Sequence, residues 1–279
     1  MLKNVKIVAD SSADILDLTD LPFACAPLKI CTSHKEYVDD AELDVRAMVD
    51  DLKDYKGKSS TSCPNPEDYL AAFGDADYVF CVTITATLSG SYNSAMLAKA
   101  RYEEEHPERR VLVINSLSAG PELCLIIEKL QNLVLEGKDF DTVCEEITAY
   151  CQKTGLLFML ESMQNLANNG RVSPLVAKMA GLLGIRIVGK ASDWGDLEPL
   201  SKCRGEKKAL ETIVSHLKAA GLKEGKVRIA HCFNEDAARA LKEMILTEFK
   251  KVQVKLYRCR GLCSFYAERG GLLVGFEKN

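Results

Sequence analysis

The chain has 279 residues, 47% hydrophobic and 27% charged, with a formal net charge of -4. That length and composition suit a soluble globular protein of two domains or one large one, whose core needs no metal or disulfide staple. The mild acidity argues against a dedicated nucleic-acid binder.

No apolar run approaches the roughly 18 residues of a membrane span. The opening MLKNVKIVADSSAD is interrupted by Asp10 and Asp14, so it does not read as a secretory signal. Eleven cysteines form no C-x-x-C pair. They read as free thiols in a reducing, cytoplasmic compartment.

In chain order, Lys6–Ala9 is a short apolar strand that runs into Asp10-Ser11-Ser12, and Pro27–Ile30 is a second candidate strand. Leu43, Ala47, Met48 and Leu52 fall at helical spacing. Asn65 before Pro66 reads as an N-cap, with the helix over Pro66–Phe73 and Glu67 and Asp68 in its first turn. Tyr78–Thr85 is a β-branched apolar run, as expected of a strand buried on both faces. Ser91–Glu105 is a predicted helix and Val111–Asn115 a buried strand. Two more helical patterns follow, over Glu122–Glu136 (closed by Gly137) and Asp141–Lys153. This alternation predicts a parallel sheet covered by helices on both faces.

Beyond about residue 155 the pattern changes. Strands are predicted at Leu156–Leu160, Leu183–Val188, Val227–Cys232, Val252–Arg258 and Leu272–Phe276. Helices are predicted at Ser162–Asn168, Pro174–Leu182, Glu206–Ala219 and Glu235–Lys250, with a turn at Asp193-Trp194-Gly195-Asp196. The expected organisation is a parallel-sheet, three-layer N-terminal domain over residues 1–155 and an α/β domain with a mixed or antiparallel sheet over residues 156–279. No linker rich in Gly, Ser or Pro separates them, so close packing is expected.

Several familiar motifs fail on spacing. Gly57-Lys58-Ser59 lacks the earlier Gly of a P-loop, because that position is Leu52. The first strand leads into no G-x-G-x-x-G. Ser89 lacks the preceding Gly of a nucleophile elbow. The four His residues sit at no metal-ligand spacing, so neither a metal nor a cofactor is expected.

Two hydroxyl-rich turns survive. Ser59-Ser60-Thr61-Ser62-Cys63-Pro64 precedes the helix at Pro66, and Thr85-Ala86-Thr87-Leu88-Ser89-Gly90-Ser91 joins a buried strand to a helix. Free N–H groups at a helix start, with added hydroxyl donors, can hold an anion at the carboxyl end of a sheet. The alternative, plain N-caps, stays open. A third element, Asn168-Asn169-Gly170-Arg171-Val172-Ser173, presents one Arg between apolar segments. These contain Met159, Leu160, Met163, Leu166, Leu175, Val176, Met179, Leu182 and Leu183. It reads either as a surface Arg beside ordinary core or as a cation at the mouth of an apolar channel.

Together these pieces resemble the DegV family of bacterial fatty-acid-binding proteins, which includes the acyl-carrier subunit of fatty acid kinase. The likeness runs end to end: IVADSSAD, PLKI before YVDD, KSSTSCPNPEDYL, VTITATLSGSYNSA, NLANNGRVS, GIRIV and LSKCRG. The resemblance implies a two-domain α/β fold that holds a long-chain fatty acid inside. It assigns the carboxylate contact to Thr61 and Ser62 of the TSCPNP turn, to Ser89 and Gly90 of LSGSYNSA, and to Arg171 of NNGRVS. It also implies a chain that is not catalytic alone and presents the carboxylate to a separate ATP-using kinase subunit.

The chain departs from the family pattern near its end. Tyr266 stands where the family carries a His, and Glu268-Arg269 replace a Gly-Pro. A phenol still donates a hydrogen bond but does not titrate near neutral pH. Asn115 replaces an Asp, and Glu122 replaces a small residue near the channel. Two alternatives remain: a lipid- or amphiphile-binding protein of the same fold without a kinase partner, and a hydrolase using Ser89 or Ser62. The hydrolase lacks an evident His base.

Overall fold

The strands Val5–Asp10 (β1), Phe23–Ala26 (β2), Tyr78–Thr83 (β6) and Arg110–Asn115 (β7) pair in parallel in the order β2-β1-β6-β7. Three short strands intervene between β2 and β6: Lys29–Cys31 (β3), Glu36–Val38 (β4) and Ser60–Ser62 (β5). They form a separate antiparallel sheet, β4-β3-β5. The computed structural model describes residues 2–180 and 183–279.

Side-chain alternation divides the parallel sheet between two cores. Ile7, Phe80 and Val82 pack on the helices Pro121–Leu135 (α4) and Phe140–Cys151 (α5). Val8, Val79 and Cys81 pack on Pro66–Phe73 (α2) and Ser91–Glu105 (α3). The three-layer parallel architecture expected from the βαβα order is therefore present. The Asn65 cap is a full capping box with Asp68, the N–H of each residue bonding the side chain of the other.

The second half forms one mixed sheet. Thr154–Leu160 (β8), Ile185–Ala191 (β9), Leu197–Arg204 (β10), Glu224–His231 (β11), Lys251–Arg258 (β12) and Leu272–Glu277 (β13) lie in the order β10-β9-β8-β13-β11-β12. Only β11 and β12 pair in parallel; the other pairs are antiparallel. Glu206–Ala219 (α8) and Glu235–Glu248 (α9) cover the face that carries Leu157, Met159, Val227, Ile229 and Val274. The opposite face, with Leu156, Phe158 and Leu160, looks toward the first half of the chain.

Sequence reading misses three short strands, one longer strand and one helix. Pro27–Ile30 was expected as one strand, but the chain forms β2 before it and β3 at its end. β4 and β5 have three residues each, too short for a periodic signal. β10 is interrupted at Pro199 by a register shift. The helix Gly261–Ala267 (α10) opens on Gly261 and has seven residues. Of the helix expected over Pro174–Leu182, Pro174–Ala180 (α7) is present, while Leu182 lies outside the described residues.

Helix α4 joins the halves. Its first turn crosses β13 at Gly275, where a Cβ would fall 2.5 Å from the Pro121 carbonyl carbon, so only glycine permits the approach. Further along, Glu128 meets Arg228 of β11, with Nε 2.8 Å from Oε1, and Lys226 at 3.1 Å. Arg228 is 1% exposed. Burial alone would raise the Glu128 pKa, but the bonds and charges of Arg228 and Lys226 overcome it and hold the carboxyl down at about 2. A carboxyl held that low contributes stability that is complete above its usual range and fades as pH falls toward 2. Glu128→Gln should therefore cost about 3–5 kcal/mol at pH 7, because it strands a buried guanidinium. The deficit relative to the parent should shrink in acid. Urea unfolding at pH 7 and pH 3 measures both values.

Candidate functional site

Three connections from distant parts of the chain converge between the two large sheets. The loop 85–90 leaves β6 and enters α3. Its approach is set by the buried Asp10 carboxylate at the end of β1, which accepts from the Ile84 N–H (2.8 Å), the Ser91 hydroxyl (2.5 Å) and the Ser12 N–H (3.2 Å). Burial pushes the Asp10 pKa up against these hydrogen bonds. Asn115, at the end of β7, accepts from the Ala86 and Leu117 N–H groups through its Oδ1. An amide oxygen thus holds this loop without bringing a charge.

The second piece is α10. Its Gly261 and Leu262 N–H groups each donate to the buried Asp39 carboxylate at 2.8 Å, and the Arg260 N–H donates to Asp14 at 2.8 Å. The last helix is thereby fixed on the small β4-β3-β5 sheet, where Phe265 packs with Ile30, Tyr37 and Met48. Tyr266 then meets Thr61 of β5, hydroxyl to hydroxyl, at 2.7 Å.

The third piece is the turn after the helix Gln164–Asn168 (α6). Arg171 donates from Nε to the Leu88 carbonyl at 3.1 Å and from Nη1 to the Asn169 carbonyl. Its guanidinium carbon lies 5.8 Å from the Tyr266 ring centre. Asn169 also reaches the Ser59 carbonyl, so the turn at 168–173 touches both hydroxyl-rich turns.

These pieces enclose an apolar cavity of about 700 Å³ including its mouth. Leu156, Phe158, Leu160, Leu166, Ile84 and Leu262 are among its walls, and Thr61, Ser89, Arg171 and Tyr266 line it at one linked cluster. Ser89 accepts from the Ser91 N–H at 3.2 Å, which leaves its own proton free to point outward. In the Thr61–Tyr266 pair one hydroxyl donates to the other, so one proton remains for a ligand. Burial raises the Tyr266 pKa above its usual range, with Thr61 and Arg171 opposing, so the phenol stays neutral at physiological pH. The cluster therefore offers several donors and one cation, the chemistry that holds a carboxylate or another monoanion.

Of the residues expected at the site, Ser62 lies outside the cavity and Gly90 lies at its edge. Ser62 lines no part of the cavity, because strand alternation in β5 turns Ser60 and Ser62 to the exposed side and Thr61 inward. Gly90 lies in a shallow outer cleft with Ser89, Asn169 and Arg171. Of the apolar residues around Arg171, Leu160 and Leu166 line the cavity. Met159 faces the α8–α9 core, and Leu175 and Leu183 are exposed. Leu182 and the side chain of Met179 lie outside the described residues. Sequence reading missed Ile84, Leu262 and Leu273, which come from three separate elements and carry no shared spacing. Among the described residues, no group of three or more His, Cys, Asp or Glu could hold a metal ion. No helix there is long and apolar enough to cross a membrane.

The fold and site define a two-domain α/β protein whose two sheets enclose an apolar cavity with a polar, cationic mouth. The chain belongs to the DegV family: the model for this family of uncharacterised proteins matches residues 4–279. A DegV domain-containing protein of Streptococcus pneumoniae is 46% identical over 276 residues, 98% of each chain. A DegV family protein from Eubacterium eligens, solved loaded with heptadecanoic acid, superposes with a TM-score of 0.97 at 47% identity. It covers 99% of this chain and 100% of that one. The Streptococcus pneumoniae Fatty Acid Kinase (Fak) B3 protein, solved loaded with linoleic acid, gives the same TM-score and coverage at 45% identity.

One wall of the cavity depends on a missing side chain. The Phe158 ring lies against Gly189 of β9, where a Cβ would collide with the ring and with the Glu198 carbonyl. Gly189→Ala should push the ring into the cavity and destabilise the protein by about 1–3 kcal/mol. Tyr266→Phe, which removes only the bond to Thr61, should cost about 1 kcal/mol. Denaturant unfolding of both variants checks the two values.

Proposed function

We propose that this chain binds a long-chain fatty acid, with the acyl tail in the cavity and the carboxylate at Thr61, Ser89, Arg171 and Tyr266. The observation that carries this reading is the one-ended distribution of polar groups along an otherwise apolar cavity. The acids held by the Eubacterium eligens protein and the Fak B3 protein support it. In this reading residues 1–155 supply Thr61 and Ser89 to the carboxylate, and residues 156–279 supply Arg171, Tyr266 and most of the walls around the tail.

Magnitudes divide the labour. Burying about 16 carbons contributes on the order of 10 kcal/mol before binding costs, at roughly 0.8 kcal/mol per methylene. A charge-assisted hydrogen bond adds about 1.5–3 kcal/mol. The tail thus supplies affinity, and the head cluster sets orientation.

The chain acts as a carrier that is not catalytic alone. A separate ATP-using kinase subunit would transfer the γ-phosphoryl group to the presented carboxylate, giving an acyl phosphate and ADP. The absence of a P-loop or dinucleotide fingerprint in the sequence supports this division, and cytoplasmic placement fits it. Tyr266 favours a second reading, a lipid carrier of the same fold without a kinase partner, because a neutral phenol cannot exchange a proton with the carboxylate near pH 7.

Mass spectrometry of the purified chain, native and then denatured, tests the binding. A fatty acid that stays bound in the native spray and is released on unfolding is the expected result. An empty chain that also ignores added oleate and palmitate rejects it. Arg171→Ala should weaken oleate binding about 10- to 100-fold, the loss of one charge-assisted contact. Acyl phosphate formed with a fatty acid kinase subunit and ATP separates the kinase-linked carrier from the second reading.

A further inference from the structure

Strand β8 measures the cavity. Leu160, Phe158 and Leu156 lie on one face of it and line the cavity in turn. Leu160 is at the mouth end, since the chain passes from it into α6, whose Asn165 donates to the Phe265 carbonyl beside Tyr266. At about 3.3 Å per residue, Leu156 lies roughly 13 Å farther in. The next residue on the same face is Thr154, which is 2% exposed and donates to Oε1 of Glu122 at 2.7 Å. Glu122 is itself only 5% exposed.

Behind this pair lies a second cavity of a different character. It holds about 640 Å³ including its mouth and is lined by Glu122, Thr154, Asn115, Ser116, Asp193 and Lys278. Leu156 borders both cavities. Leu156 is thus the lining residue that the apolar cavity shares with the polar one.

We propose that Leu156 is the floor of the acyl cavity and that the Glu122–Thr154 pair behind it is a polar stop. Together they set the longest apolar tail that the protein accepts. This inference rests on the acyl-binding reading above. A methyl terminus pushed past Leu156 would crowd a buried, hydrogen-bonded carboxyl and hydroxyl without replacing a hydrogen bond that it disturbs, which is unfavourable. A terminal hydroxyl in the same place would replace one. The selection is thus by polarity as well as by length.

The test uses delipidated protein titrated with straight-chain saturated acids of stepwise length and with their ω-hydroxy counterparts. In the parent, affinity should rise about tenfold for every two methylenes up to a longest chain and then break. Leu156→Ala should move the break outward by about two carbons for hydroxyl-ended acids. Methyl-ended acids should follow only when Glu122→Leu is added. Leu156→Phe should move the break inward, and it keeps the test decisive if the alanine variant folds poorly. A break at the same length in both Leu156 variants overturns the proposal. An equal shift of hydroxyl- and methyl-ended acids in Leu156→Ala overturns the polar stop. A parent that binds no acid of any length rejects instead the reading beneath it.

Discussion

The carboxylate of Asp39 is the contact on which the site depends. It sits beside β4, fully buried, and accepts the first two free N–H groups of α10, a helix more than 200 residues later in the chain. Those donors have no intrahelical partner, and a carboxylate at a helix start is favoured by charge as well as by hydrogen bonding. Burial nevertheless pushes the Asp39 pKa up, and the two N–H bonds work against that push. The contact pins the end of the second domain onto the small sheet of the first. Without it, Tyr266 would have no reason to face Thr61, and the mouth of the cavity would lose one of its walls.

Asp10 does for the loop 85–90 what Asp39 does for α10. Both are acids near the ends of strands, both are buried, and both spend their oxygens on backbone or hydroxyl donors from other elements. The polar cluster that lines the cavity carries no acid of its own. Its charge is the Arg171 guanidinium, held by the carbonyls of Leu88 and Asn169. Buried carboxylates act as scaffolding and a single cation faces the cavity. This separation of roles keeps negative charge away from the place where an anion would sit.

Much of the fold was legible because its helices are long and its central strands are apolar throughout. The spans Pro66–Phe73, Ser91–Glu105 and Glu206–Ala219 were readable to the residue, since each opens at a clear start: an Asn-Pro cap, or a glycine before the first turn. Three-residue strands such as β4 and β5 carry no period to read, and β5 is a polar Ser-Thr-Ser. Yet β5 decides which hydroxyl faces the cavity. Its pairing with β3 places Thr61 opposite Ile30, on the buried side, and leaves Ser62 outside. The hydroxyl turn was visible as composition, but the choice among its members was not.

By itself the sequence determined the alternation of strands and helices, the change of sheet type from β8 onward, the two hydroxyl turns and the lone Arg171. All of these follow from local periodicity, capping chemistry and residue type, which act over a few residues. Tertiary structure alone decided that these turns meet, that Tyr266 bonds Thr61, and that Leu156 rather than Met159 faces the cavity. It also decided that Glu122 is buried against Thr154 instead of standing in solvent. Each of those outcomes depends on sheet register and on contacts between elements as much as 200 residues apart, and a register shift of one residue would reverse every inward and outward assignment on its strand.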